Sequence, residues 1–319
     1  GSRLGVMKNV ASATDAVEVT LSSGVSADEA TKHARHVPLI LLQVVRASAG
    51  WDKLTPALVS LGFALVDKAP KEQARILSGE NLGGTVWGAA LGKEILLEIY
   101  TASKFSREPI VNQIIDRIVT RAPGMGVLLE LLFDLSSTAP HDLIGQSATI
   151  RNSFGYLMEM KPTHAEEFLR ALMPLFALQP SLADAAVLPL RKACFSREES
   201  VRHIGADGML LLLSSSAEVL QWKESSSSST SPLSRSPPHS FGPSRGGLTP
   251  EECFSLMRRS LSQQAGVRSK VYRGLVDAFI RYPPLRHHIL EFVMTHFRRY
   301  FAPVVATSSS FSSSSSPPP

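Results

Sequence analysis

The stretch Trp87-Gly88-Ala89-Ala90-Leu91-Gly92-Lys93-Glu94-Ile95-Leu96-Leu97-Glu98-Ile99 decides the fold. Trp87, Leu91, Ile95 and Ile99 recur four apart while Glu94 and Glu98 fall elsewhere, which is the pattern of a helix with one buried stripe. Ile110, Ile114, Ile115 and Ile118 repeat that spacing after Pro109, which suits a first-turn position because its missing N–H costs nothing there. Start signals of the type Ser/Thr-x-x-Glu stand at Thr163 to Glu166, Ser196 to Glu199 and Thr249 to Glu252. In such a box the hydroxyl and the carboxylate each satisfy an orphan N–H. No run sustains a period of two, and no Asn-Gly or Asp-Gly pair separates two β-branched runs. The expectation is an all-α chain with essentially no sheet.

Helices of about 12 to 18 residues joined by short Pro, Gly or Ser punctuation bury their faces against neighbouring pairs, so the expected architecture is an α-solenoid of stacked antiparallel helix pairs. Five segments are expected. Residues 1–36 form the end of a preceding helical domain, partly disordered, and residues 37–213 the solenoid segment. Residues 214–248 form a Ser/Pro-rich linker, with the unbroken serines Ser225 to Ser229, then Ser231-Pro232, Ser236-Pro237-Pro238 and Gly246-Gly247. Residues 249–303 begin a second, basic helical domain, and residues 304–319 form a disordered Ser/Pro tail.

Composition narrows the class. The 319 residues are 44% hydrophobic and 19% charged, which is enough to build a core. Cys194 and Cys253 are the only cysteines, so no disulfide framework or multi-cysteine zinc site forms, and a reducing, intracellular setting is expected. No apolar run approaches the roughly 18 residues of a membrane span. The start at Gly1-Ser2-Arg3 carries no leader pattern and reads as that of an internal fragment. Charge is uneven: residues 250–303 hold nine basic and four acidic side chains, an excess equal to the whole chain's net +5. Arg258, Arg259, Arg268, Lys270, Arg273, Arg281, Arg298 and Arg299 are therefore candidate DNA contacts, since cations that neutralise phosphates gain affinity through counterion release. A plain solvated face is the other reading.

Signals for enzymatic chemistry fail. Gly92-Lys93 resembles the end of a phosphate-binding loop, but Trp87 stands where that loop needs glycine, and Lys93 lies in a helix. Gly124-Met125-Gly126 has no third glycine and no preceding strand, and reads as a turn between helices. His33 with His36, and His287 with His288, have no Cys or carboxylate at ligand spacing. No Gly-x-Ser-x-Gly elbow occurs, and Cys194 and Cys253 read as small apolar core residues. No catalytic residue, metal or cofactor is expected.

Several segments, in order, resemble the Fanconi anaemia group I family. They are Trp51-Asp52-Lys53-Leu54 through Leu61-Gly62-Phe63-Ala64-Leu65-Val66-Asp67, then Ile118-Val119-Thr120-Arg121-Ala122, then Leu190-Arg191-Lys192-Ala193. Gly208-Met209-Leu210-Leu211-Leu212-Leu213, the serine-rich break, Leu256 to Gln264 and Val267-Arg268 continue the likeness. The resemblance takes in most of residues 37–301 and implies the central portion of a longer protein.

What it implies is a non-enzymatic subunit of a DNA-binding heterodimer, regulated by monoubiquitination, acting in interstrand crosslink repair on nuclear chromatin. The implied partners are the Fanconi anaemia group D2 protein, double-stranded and branched DNA, ubiquitin, and the group L ubiquitin ligase with its conjugating enzyme. The family's acceptor lysine matches Lys192, which in this sequence falls near the end of a helix from about Ser181 to Cys194, with Pro189 inside it. A cation there gains about 0.3 to 1 kcal/mol from the helix dipole. The family's serine-rich stretch typically carries Ser-Gln pairs, and this one has none. Its proline-directed serines, Ser231 and Ser236, and the sole Ser-Gln, at Ser262 in an expected helix, are the candidate phosphorylation sites. The alternative function is a generic helical-repeat adaptor that binds proteins and has no nucleic-acid role.

Overall fold

The computed structural model describes residues 27–48, 51, 53–68, 87–227 and 249–301. Among them there is no strand, and the chain is an all-α solenoid. Among the described residues eleven helices precede residue 228: α1 (Ala27–Ser48), α2 (Thr55–Val66), α3 (Trp87–Ala102), α4 (Lys104–Val119), α5 (Met125–Thr138), α6 (Pro140–Ile144), α7 (Ser147–Ser153), α8 (Pro162–Ala171), α9 (Met173–Leu178), α10 (Pro180–Cys194) and α11 (Glu199–Ser227). Beyond residue 248 come α12 (Pro250–Met257), α13 (Ala265–Arg281) and α14 (Arg286–Phe301), with 3-10 turns at Phe154–Glu159, Ser260–Ser262 and Pro283–Leu285.

Leu91, Ile95 and Ile99 are at most 3% exposed, and Ile110, Ile114, Ile115 and Ile118 (at most 4%) face the same core from α4. α3 packs on α1, α2, α4 and α5. Gly124 sits at φ 77° as the residue before α5, a left-handed conformation that a side chain would strain. Lys93 lies inside α3, as expected, with Nζ 3.1 Å from Asp134 Oδ2 and 3.4 Å from Glu130 Oε2.

Helix starts depart from the reading. Only Thr249 forms the expected capping box: its hydroxyl accepts from the Glu252 N–H, and the Glu252 carboxylate accepts from the Thr249 N–H at 2.9 Å. Thr163 does not cap, because Pro162 opens α8 with its φ already set and places Thr163 inside the first turn. Ser196 caps no helix start at Glu199: its Oγ accepts from the Glu198 N–H at 3.2 Å, closing a local turn before α11. Pro109 is not in a first turn either. α4 begins at Lys104, so Pro109 is interior and removes the N–H that would bond the Phe105 carbonyl, on a turn where Phe105 is 90% exposed.

The boundaries also shift. α1 begins at Ala27, and α11 runs unbroken through the expected break at Ser214 to Ser227. α11 packs against α8, α9, α10, α12 and α13, so one helix is common to both helical blocks. Close approach to α10 requires glycine: a Cβ on Gly205 would meet the Cys194 backbone N at 2.6 Å. Ser231 and Ser236 and the tail 304–319 lie outside the described residues.

Candidate functional site

α10 carries the candidate acceptor. Leu182, Ala186, Leu190, Ala193 and Cys194 are fully buried, which turns Leu188, Arg191 and Lys192 to solvent. Pro189 lies within the helix, which continues past it to Cys194. Among the described residues no carboxylate pairs with Lys192, so its amine stands free on a fixed turn.

That turn ends in a defined structure. The Phe195 N–H donates to the Lys192 carbonyl at 3.1 Å and the Ser196 N–H to the Ala193 carbonyl at 3.0 Å. Arg202, 6% exposed, donates from Nη1 to the Ser196 and Arg197 carbonyls at 2.8 and 2.7 Å, which fixes the loop after α10. Cys194 and Cys253 are buried, and burial pushes their thiols up to about 11 and about 12. Both therefore behave as small apolar groups rather than nucleophiles.

The second block reaches α10 directly. Gln263 Nε2 donates to the Cys194 carbonyl at 2.7 Å, and the Arg259 guanidinium lies 5.0 Å above the Phe195 ring. Ser262 is not in a helix as expected. It is exposed in the 3-10 turn Ser260–Ser262, with Oγ donating to the Arg259 carbonyl at 2.8 Å. Sequence reading named Ser262 and Arg259 but missed Gln263, since its partner is 69 residues away.

The basic residues do not form one face. Arg258 and Arg259 sit at the turn beside α10, whereas Arg273 and Arg281 line a cleft of about 1090 Å³ between α5, α8, α11 and α13. Arg298 is exposed on α14, Arg268 is half-buried, and Arg299 lies outside the described side chains. Lys270 is occupied rather than presented on a free face. It pairs with the buried Asp207 carboxylate and lies 3.7 Å from Glu166 Oε2. Burial outweighs that ion pair and pushes the Asp207 carboxyl up to about 6.

Among the described residues no three His, Cys, Asp or Glu side chains are grouped to hold a metal ion, and no helix is long and apolar enough to cross a membrane. His288 Nδ1 lies 3.6 Å from Glu251, a local pair, and His33 and His36 fall where no side chains are described. The described residues form a helical scaffold with a buried apolar spine and an exposed lysine on a braced turn.

Its lineage is specific. A family model described as FANCI solenoid 2 matches residues 54–210, and one described as FANCI helical domain 2 matches residues 223–312. The chain is 30% identical over 278 residues to the Fanconi anemia group I protein of Gallus gallus, and 30% identical over 284 residues to the Fanconi anemia group I protein homolog of Mus musculus. Each alignment takes in 84% of this chain and 21% of the relative, so the chain spans about a fifth of the length of the relatives it matches. The chain belongs to the Fanconi anaemia group I family. The two matched segments end and begin within α11.

Proposed function

We propose that this chain is the ubiquitin-accepting portion of a non-enzymatic subunit in interstrand crosslink repair, with Lys192 as the acceptor. Membership supports a role in the Fanconi pathway. The observation that carries the reading is the placement of Lys192 at the exposed end of α10, unpaired with any described carboxylate, on a turn anchored by the buried Leu190, Ala193 and Cys194. The partners follow the family: the group D2 protein, duplex and branched DNA, ubiquitin, and the group L ligase with its conjugating enzyme, on nuclear chromatin.

The chemistry is acyl transfer from a ubiquitin thioester. The neutral Nζ attacks the thioester carbonyl, an isopeptide N–C bond forms and the C–S bond breaks. The leaving thiolate keeps the C–S electron pair, and the amine proton passes to solvent. This chain supplies the nucleophile and its position; orientation of the two reactants provides the acceleration. Arg258, Arg273, Arg281 and Arg298 are exposed cations of the second block available to phosphates, and Ser231, Ser236 and Ser262 are the candidate phosphorylation sites.

Reconstituted ubiquitination with the D2 partner and DNA tests the acceptor. Lys192→Arg keeps a long cationic helix former and removes the nucleophile, so modification is expected to vanish with folding intact. Modification at the wild-type rate would place the acceptor elsewhere.

A protein-binding adaptor without a nucleic-acid role is the second reading. The exposed apolar side chains Val276, Ile280 and Leu290, each more than half exposed on α13 and α14, favour it. A salt-dependent shift of duplex DNA, weakened by replacing Arg258, Arg273, Arg281 and Arg298 together, separates the two.

A further inference from the structure

The end of α10 is braced by its own closing turn, by α11 and by residues from the second block. Pro189 has no N–H to give the Ala185 carbonyl, so the last turn, which carries Lys192, lacks one rung of the ladder that would tie it to the rest of α10. The final carbonyls of any helix are left without intrahelical partners. Here Lys192 O and Ala193 O are taken by the tight turn at Phe195 and Ser196, and Cys194 O is taken by Gln263. Arg259, from the same 3-10 turn, covers the outer side of that cap by lying over the exposed Phe195 ring. Cys194 itself is wedged against the backbone of α11 at Gly205. The turn that carries the amine is thus pinned on one side by α11 and capped from the other by Arg259 and Gln263.

We infer that Gln263 and Arg259 are positioning residues for Lys192: docking of the second helical block on the end of α10 sets the direction of the acceptor turn and thereby the rate of acyl transfer to its amine. The inference rests on the acceptor reading given above and adds a regulator to it, since whatever moves the α12–α13 turn moves the acceptor. Neither residue touches the reacting atoms. Both act through the carbonyl and ring that close α10, and the rate follows because a near-attack geometry is lost when the amine samples more directions.

The experiment uses the full chain and reads two quantities. Gln263→Met removes the donor at nearly constant shape, and Gln263→Lys restores an N–H donor on a longer stem. Hydrogen exchange at the Phe195 and Ser196 amides reports the cap without any enzyme, and ubiquitin transfer to Lys192 from a charged conjugating enzyme reports its use. In Gln263→Met, loss of one net hydrogen bond is expected to speed exchange at those amides by roughly fivefold and to slow transfer by a similar factor. The fall appears in turnover, with the KM for the charged conjugating enzyme unchanged, and Gln263→Lys recovers both. Arg259→Lys keeps the charge and loses the planar stack, so it gives a smaller change of the same kind.

Unchanged exchange at 195 and 196 in Gln263→Met overturns the inference, as does faster exchange with unaltered transfer. Transfer that falls equally in Gln263→Met and Gln263→Lys, with loss of helix content, overturns it in favour of a purely structural role. If Lys192→Arg is modified as fast as wild type, the acceptor reading fails and takes the transfer half of the inference with it, while the exchange result still reports whether the cap exists.

Discussion

The helices at residues 87–138 and those at residues 250–298 share the same amphipathic grammar and differ in how fully their apolar faces are covered. In the first region Ile95, Leu96, Ile99, Ile110, Ile114, Leu128 and Leu132 are fully buried, because α3 packs on α1, α2, α4 and α5. In the second, Val267, Val271 and Leu275 turn inward, but Val276, Ile280 and Leu290 remain more than half exposed. Its attachment to the rest of the chain includes polar contacts: Lys270 to Asp207, Gln263 to Cys194 and Arg259 to Phe195. Apolar burial is indifferent to pH, whereas the Lys270 pair responds to it through the Asp207 carboxyl. The first region is a foundation and the second is a part whose seating can be tuned.

The sharpest way to break this contrast is to carve the foundation. Leu91→Ala is expected to cost about 2 to 5 kcal/mol in a denaturant titration, since the side chain is fully packed and the void cannot collapse freely. A neutral result would mean that α3 is far softer than its burial implies. Next comes overpacking where the blocks converge. Gly205→Ala is expected to cost about 1 to 3 kcal/mol, because its Cβ would press on the Cys194 backbone rather than on a flexible side-chain tip.

A third test concerns pH. The Asp207 carboxyl is raised to about 6 by burial, from an ordinary value of about 3.9. Between those values the folded chain holds a proton that the unfolded chain has released, so this group lowers stability as pH rises from about 4 to 6. Asp207→Asn should remove that slope, read from thermal melts at a series of pH values. Lower stability in the variant at pH 7 would show that the Lys270 pair outweighs burial. The smallest effect sharpens the comparison at the level of sequence. Thr249→Ala should cost about 1 kcal/mol and Thr163→Ala no more than a few tenths, since only the first hydroxyl caps a helix.

That last pair shows what the sequence makes legible. Period and burial are local, so Leu91, Ile95 and Ile99 declare their helix and its inner face without reference to anything distant. Caps compete with neighbours: Thr163 has the right spacing, but Pro162 takes the helix start, and Pro109 sits deep in α4 because the chain enters that helix at Ser103. Ser262 has the neighbours of a helical residue and becomes a 3-10 turn because tertiary docking bends the chain there. Lys192 looks like any surface lysine in composition and spacing, and only the likeness of Leu190-Arg191-Lys192-Ala193 to a family singled it out. The contacts that brace it, Gln263 to Cys194 and Arg202 to Ser196, are invisible to periodicity because they depend on which carbonyls the fold leaves unpaired.

The helix common to both blocks has a mechanical meaning. At 29 residues α11 is about 43 Å of continuous rod, packed against α10 on the acceptor side and against α12 and α13 of the second block. The two family segments meet inside it, so a chain cut between them would be severed mid-rod, with Leu212, Leu213 and Ala217 stripped from a core they help to fill. Tension on either block loads the same rod, and the two are therefore expected to yield together, as one beam rather than as two beads on a string.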